Sequence, residues 1–134
     1  MRRLARAISL AMLAAAVLAA CTPSETTEPL KLWSIDFGTG VDAENKITNA
    51  TRTFAPTSTV YASLSTQGGG RGTVTFEWAA GSTVVSTEKR EIVATKPTYF
   101  AFHYAHPDGW PKGMNHVRFA LDDGEKHVAD FQVE

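Results

Sequence analysis

The chain has 134 residues, 13 of them basic and 14 acidic, with a formal net charge of −1. Arg2, Arg3 and Arg6 are the only charged residues among the first 20, so from Cys21 onward 10 basic residues stand against 14 acidic ones. That balance argues against a nucleic-acid partner, which wants a basic patch, and against a polybasic membrane clamp. The length fits one domain able to bury most of its unfolded-chain surface. Cys21 is the only cysteine, so an internal disulfide is ruled out and stability must come from the core.

Residues 1–20 read as a secretory signal peptide. The three arginines make a basic start, and residues 8–20 form an apolar, small-residue run broken only by Ser9. The run is too short to span a bilayer, which takes about 20 apolar residues. It ends in Leu18-Ala19-Ala20-Cys21: a branched apolar residue, two small residues, then cysteine. This resembles the lipobox of bacterial lipoproteins. The resemblance implies diacylglyceryl transfer to the Cys21 sulfur, cleavage before Cys21 and acylation of the new amino terminus. The expected attachment is therefore a covalent lipid on Cys21, with no other cofactor. Each buried methylene contributes about 0.8 kcal/mol, so two or three chains hold a protein where one holds it only marginally. Thr22 stands where an aspartate often signals inner-membrane retention. The resemblance then implies an outer-membrane lipoprotein facing the periplasm.

Residues 22–29, TPSETTEP, are polar, acidic and bounded by prolines. They predict, with Cys21, an extended solvated tether over 21–29. From residue 30 the pattern is β. Residues 30–37 place apolar groups at strand spacing with Trp33 on the other face, and Gly38 and Gly40 then break the strand. Residues 46–54 form a weaker, threonine-rich strand. Residues 59–66 alternate cleanly, with Val60, Ala62 and Leu64 on one side. Residues 67–72 are a glycine-rich loop. Val74, Phe76 and Trp78 then alternate with Thr73, Thr75 and Glu77. Residues 83–92 and the aromatic-rich 98–104 follow. Val117, Phe119 and Leu121 face inward on the next strand. Asp123-Gly124 is a hairpin signal suited to positive φ, and Ala129, Phe131 and Val133 line one face of the last strand. Seven or eight short strands without helical periodicity predict an all-β, immunoglobulin-like sandwich over 30–134, with a small barrel as the alternative. Phe76, Trp78, Phe119 and Phe131 are its expected core.

The stretches Phe37-Gly38-Thr39-Gly40-Val41-Asp42, 54–63 (FAPTSTVYAS) and Pro107-Asp108-Gly109-Trp110-Pro111-Lys112-Gly113 are similar to small proteobacterial immunoglobulin-like lipoproteins of unknown function. In those, a Gly-Trp-Pro-x-Gly segment leads into the penultimate strand. The likeness covers most of the chain after Cys21 and implies the fold rather than an activity. It departs at Asn115, where related sequences tend to have tyrosine, which puts a tyrosine-corner hydrogen bond in doubt.

Chemistry is sparse. The glycines at 68–72 precede no helix and no Gly-Lys-Ser/Thr, so they do not make a phosphate loop. Gly-x-Ser-x-Gly is absent, and the one cysteine is committed to lipid. His103 ends one predicted strand, His106 lies in the following loop and His116 opens the next strand. If those strands are neighbours, the three imidazoles, with Asp108 between them, share one end of the sandwich and could hold Zn²⁺ or Cu²⁺. Surface histidines on a loop rim are the commoner outcome. Trp110, between Gly109 and Pro111, either pins its loop onto the domain or stands exposed as a binding anchor beside His106 and Asp108. The expectation is a lipid-anchored cell-envelope protein acting as a non-catalytic binding or accessory module for an envelope protein or polymer. The alternatives are a periplasmic metal-binding protein using His103, His106 and His116, and, less favoured, an envelope enzyme.

Overall fold

A computed structural model describes residues 28–134. The segment read as a signal peptide, Cys21 and most of the expected tether fall outside them. The strands are β1 (Lys31–Val41), β2 (Ile47–Ala50), β3 (Thr53–Phe54), β4 (Thr59–Gln67), β5 (Gly70–Ala80), β6 (Thr83–Ala94), β7 (Tyr99–Ala105), β8 (Gly113–Leu121) and β9 (Lys126–Val133). They form a four-stranded sheet, β2-β1-β4-β7, against a five-stranded sheet, β3-β9-β8-β5-β6. The fold is a β-sandwich, as the alternation predicts. The β4–β7 pairing and the β8 strand between β5 and β9 are the B–E and C–F–G pairings of immunoglobulin-type sandwiches. The long β1 takes the A position beside β4, with the short β2 added on its outer edge.

Three differences from the sequence reading have physical causes. The weak strand predicted over 46–54 is two strands: β2 pairs with β1 and β3 pairs in parallel with β9. The chain changes sheets between them, which raises the count to nine. Gly38 and Gly40 do not end β1; the strand runs on to Val41. Glycine is required there for closeness, since a Cβ at Gly38 would lie 2.4 Å from Ile47 Cγ2. Likewise β5 begins at Gly70, inside the predicted loop.

A bulge between Leu32 and Ser34 shifts the phase of β1. Leu30 and Leu32 point inward before it, Ile35 and Phe37 after it, and Trp33 is expelled to the surface. The start of the domain also moves. Glu28 accepts a 2.9 Å hydrogen bond from the Gly69 N–H, and Pro29 bridges to Gly69. The last two tether residues thus belong to the fold.

The core is aromatic. Phe76 stacks on Phe102 across the sandwich, with centroids 4.1 Å apart, and Trp78 meets Phe76, Tyr104, Trp110 and Phe131. Phe76, Trp78, Phe119 and Phe131 are all buried. No buried side-chain nitrogen or oxygen among the described residues lacks a partner. Truncating a buried Trp costs about 3–5 kcal/mol, whereas a substitution on the outer strand face stays within roughly 0.5 kcal/mol. Trp78→Ala should therefore lower the denaturant midpoint far more than Thr75→Ala. Equal midpoints would contradict the register of β5.

Candidate functional site

The loop between β7 and β8 is where the sequence concentrates its chemistry. It closes the end of the sandwich away from Glu28. A turn at 106–109, closed by the Gly109 N–H on the His106 carbonyl, delivers Trp110 to the interior. The Trp110 N–H donates to the Pro56 carbonyl at 2.8 Å, and its indole Nε1–H to the Ser58 carbonyl at 3.2 Å. The ring is 2 % exposed, between Trp78, Tyr104, His106 and Phe131. Trp110 is therefore a plug that pins the loop, and the exposed-anchor reading does not hold. His106 lies half-buried over that plug, and its Nδ1 accepts the Asp108 backbone N–H at 3.1 Å. The nitrogen that faces Asp108 is thereby occupied by backbone. The Asp108 carboxylate itself is exposed.

The condition for a three-histidine site fails, because β7 and β8 lie in different sheets. His103 sits on the outer face of the four-stranded sheet, stacked on Tyr61 at 5.4 Å. His116 sits on the outer face of the other sheet, its Nδ1 2.6 Å from Asp130 Oδ1. A packed interior separates the two. Among the described residues no three His, Cys, Asp or Glu side chains converge as metal ligands would. His127, at the opposite end, stacks on Phe119 and bonds Glu125, whose carboxylate accepts the Leu32 N–H.

Asn115 replaces the tyrosine of the resemblance with a different device. It is completely buried. Its Oδ1 accepts the Gly81 N–H at 2.9 Å, and its Nδ2 donates to the carbonyls of Pro111 and Gly113 at 3.0 and 3.3 Å. One amide thus ties the β5–β6 hairpin to the plug loop. No signal short of a buried-position pattern in β8 would have revealed it. Polar Asn115 does occupy the inward phase of Val117, Phe119 and Leu121.

With the interior filled, ligands are left the outer surfaces. The register puts Lys126, Val128 and Asp130 of β9 beside Met114, His116, Arg118 and Ala120 of β8, then Thr75 and Glu77 of β5. Between them lies a shallow depression of about 270 Å³ lined by Thr75, Glu77, Arg118, Ala120, Lys126 and Val128. Val128 is 63 % exposed and Met114 50 %. Val84 and Val93, also exposed, share this face through their pairing with Ala79 and Arg71. The alternation of β5 marks only Thr73, Thr75 and Glu77 as outward, and nothing in the sequence joins them to Met114, Val128, Val84 and Val93 in one surface.

No family model and no curated protein matches the chain. Among solved structures it is similar to the β-glucosidase from Listeria innocua in complex with gluconolactone, at 9 % identity and a TM-score of 0.47. The isofagomine complex of the same protein gives 11 % identity and a TM-score of 0.47. In both, the match covers 78 % of this chain and 16 % of the other.

The Asn115 knot gives a test. Asn115→Asp keeps the acceptor for Gly81 but sets a buried carboxylate against two carbonyls. Losing such partners costs about 1–3 kcal/mol or more. The environment favours the protonated acid, so the folded-state pKa of that aspartate lies above its unfolded value. The folded state then binds more protons at this position, so the cost of the substitution is smallest at low pH and grows as pH rises. Denaturation measured against pH should show the deficit relative to wild type shrinking in acid. A pH-independent deficit would contradict the hydrogen-bond assignment.

Proposed function

We propose that the protein is a lipid-anchored, non-catalytic module of the cell envelope that docks a protein partner on the outer face of its five-stranded sheet. The observation that carries this is the placement of exposed apolar side chains. Four of the five large ones among the described residues, Val84, Val93, Met114 and Val128, lie on that face, and the fifth is Trp33. An apolar surface interleaved with Arg118, Lys89 and Glu77 has the mixed character of a non-obligate interface, in which methionine and arginine are enriched. The rigid sandwich needs no rearrangement to present it. The lipobox resemblance supplies the anchor and, through Thr22, an outer-membrane location facing the periplasm.

Two experiments test the reading. Cys21→Ser removes the thiol that would carry the lipid, so the variant should lose incorporation of a labelled fatty acid and leave the membrane fraction. A variant that still sediments with membranes as wild type does would refute the anchor. For the face, a photo-crosslinking residue at Val128 should give a discrete adduct in intact cells that Met114→Asp abolishes without changing the melting temperature. The same residue at Asp36, on the other sheet, should give none. Identical adducts from both positions would refute the docking face.

A further inference from the structure

The fifth exposed apolar side chain has a different setting. Trp33 is 58 % exposed, expelled by the β1 bulge at the end of the sandwich where Glu28 and Pro29 enter. The Lys31 ammonium lies over its ring, 5.4 Å from the centroid. A cleft of about 180 Å³ separates Trp33 from Tyr99, with Ser65, Gln67, Pro97 and Thr98 between them. On the far side of Tyr99 a second hollow is bordered by Glu44, Lys46 and Lys96. The β1–β2 hairpin folds back to reach it. Ser63 Oγ donates to the Asn45 carbonyl, Asn45 Nδ2 donates to the Tyr99 carbonyl, and Lys46 lies 5.3 Å above the Tyr99 ring. One corner of the domain therefore carries Trp33, Tyr99, Lys31, Lys46 and Lys96, with Glu44 paired to Lys46 at 3.1 Å.

The geometry points to this corner as a membrane-docking surface: Trp33 and Tyr99 enter the lipid headgroup layer, flanked by Lys31, Lys46 and Lys96. The inference rests on the proposed lipid anchor, and chain length then does much of the work. From Cys21 to Glu28 the backbone spans at most about 25 Å. Glu28 is fastened to Gly69. The tether end of the sandwich is thus held near the bilayer at high local concentration, where even weak affinity is populated. Trp and Tyr favour the membrane–water boundary, because each has an apolar body and a polar edge. Lysines extend their ammonium groups toward anionic headgroups. The acidic turn formed by Asp122, Asp123 and Glu125 lies at the same end on the other sheet. Its Glu125 carboxylate is held on the Leu32 N–H, next to Trp33.

Tryptophan fluorescence tests this directly, since Trp78 and Trp110 are 1 % and 2 % exposed and Trp33 alone meets solvent. The full lipidated chain is reconstituted in phosphatidylethanolamine–phosphatidylglycerol vesicles whose acyl chains carry bromine near the carbonyl end. The wild-type signal minus that of Trp33→Phe is the Trp33 emission. Expected is a blue shift, loss of most of that emission to the brominated lipid and protection from acrylamide, all absent in soluble Cys21→Ser protein. Lys31→Gln with Lys96→Gln should reduce the quenching on these anionic vesicles. If the lipidated protein floats with vesicles but Trp33 stays unquenched and open to acrylamide, the docking surface is refuted while the anchor stands. If it does not float, both fall. A Trp33 shift produced by soluble envelope polysaccharide and not by lipid would assign the corner to a glycan and overturn the proposal.

Discussion

Trp78 is the point on which the sandwich depends. It rises from β5, between β8 and β6 in the five-stranded sheet, and touches Phe76 of its own strand, Tyr104 from the opposite sheet, Trp110 from the closing loop and Phe131 from β9. Three contacts remote from it in sequence thus meet on one side chain. With no disulfide to constrain the unfolded chain, this aromatic continuity replaces a covalent staple. It extends through Phe76 to Phe102, and there the Arg90 guanidinium covers the outer ring at 4.1 Å.

Arg90 also shows how the open flanks are managed. Strands β6 and β7 are edge strands of different sheets, and exposed edges invite pairing with other chains. Arg90 reaches from β6 to donate to the Ala101 carbonyl of β7 at 2.7 Å and pairs with Glu88. On the opposite flank, β2 covers only the second half of β1. There the Glu125 carboxylate takes the Leu32 N–H, and Arg52 donates to the Asp130 carbonyl. Charged side chains thus stand in at each seam for the missing strand.

The legible parts of the sequence were those where one residue decides one face. Strands β8 and β9, and β5 as far as Trp78, alternate, and their inward Phe76, Trp78, Phe119 and Phe131 can be named from period alone. The hairpin at Asp123-Gly124 was also legible, since Gly124 takes a positive φ of 99° and Asp123 accepts the Glu125 N–H. The beginning of the domain was not. A bulge erases period, so Trp33 read as the outer face of a regular strand, when it is the residue that breaks the regularity. Gly38 read as a stop because proximity to Ile47 is a tertiary fact. The histidines misled for the same reason. Neighbours across a loop in sequence need not be neighbours in space, and this loop crosses between sheets. Asn115 announced only that something other than tyrosine filled the site.

The place of β1 has a mechanical side. The strand entered directly from the tether lies antiparallel to β4 along seven paired positions, from Lys31–Gln67 to Gly38–Tyr61. A tug on the tether runs along the strand axis, and the ladder bonds lie across it. They are loaded together in shear, so β1 cannot peel away one bond at a time. Forced unfolding is governed by the height of the unfolding barrier. The β1–β4 ladder therefore takes such a load at the point where the chain enters the fold.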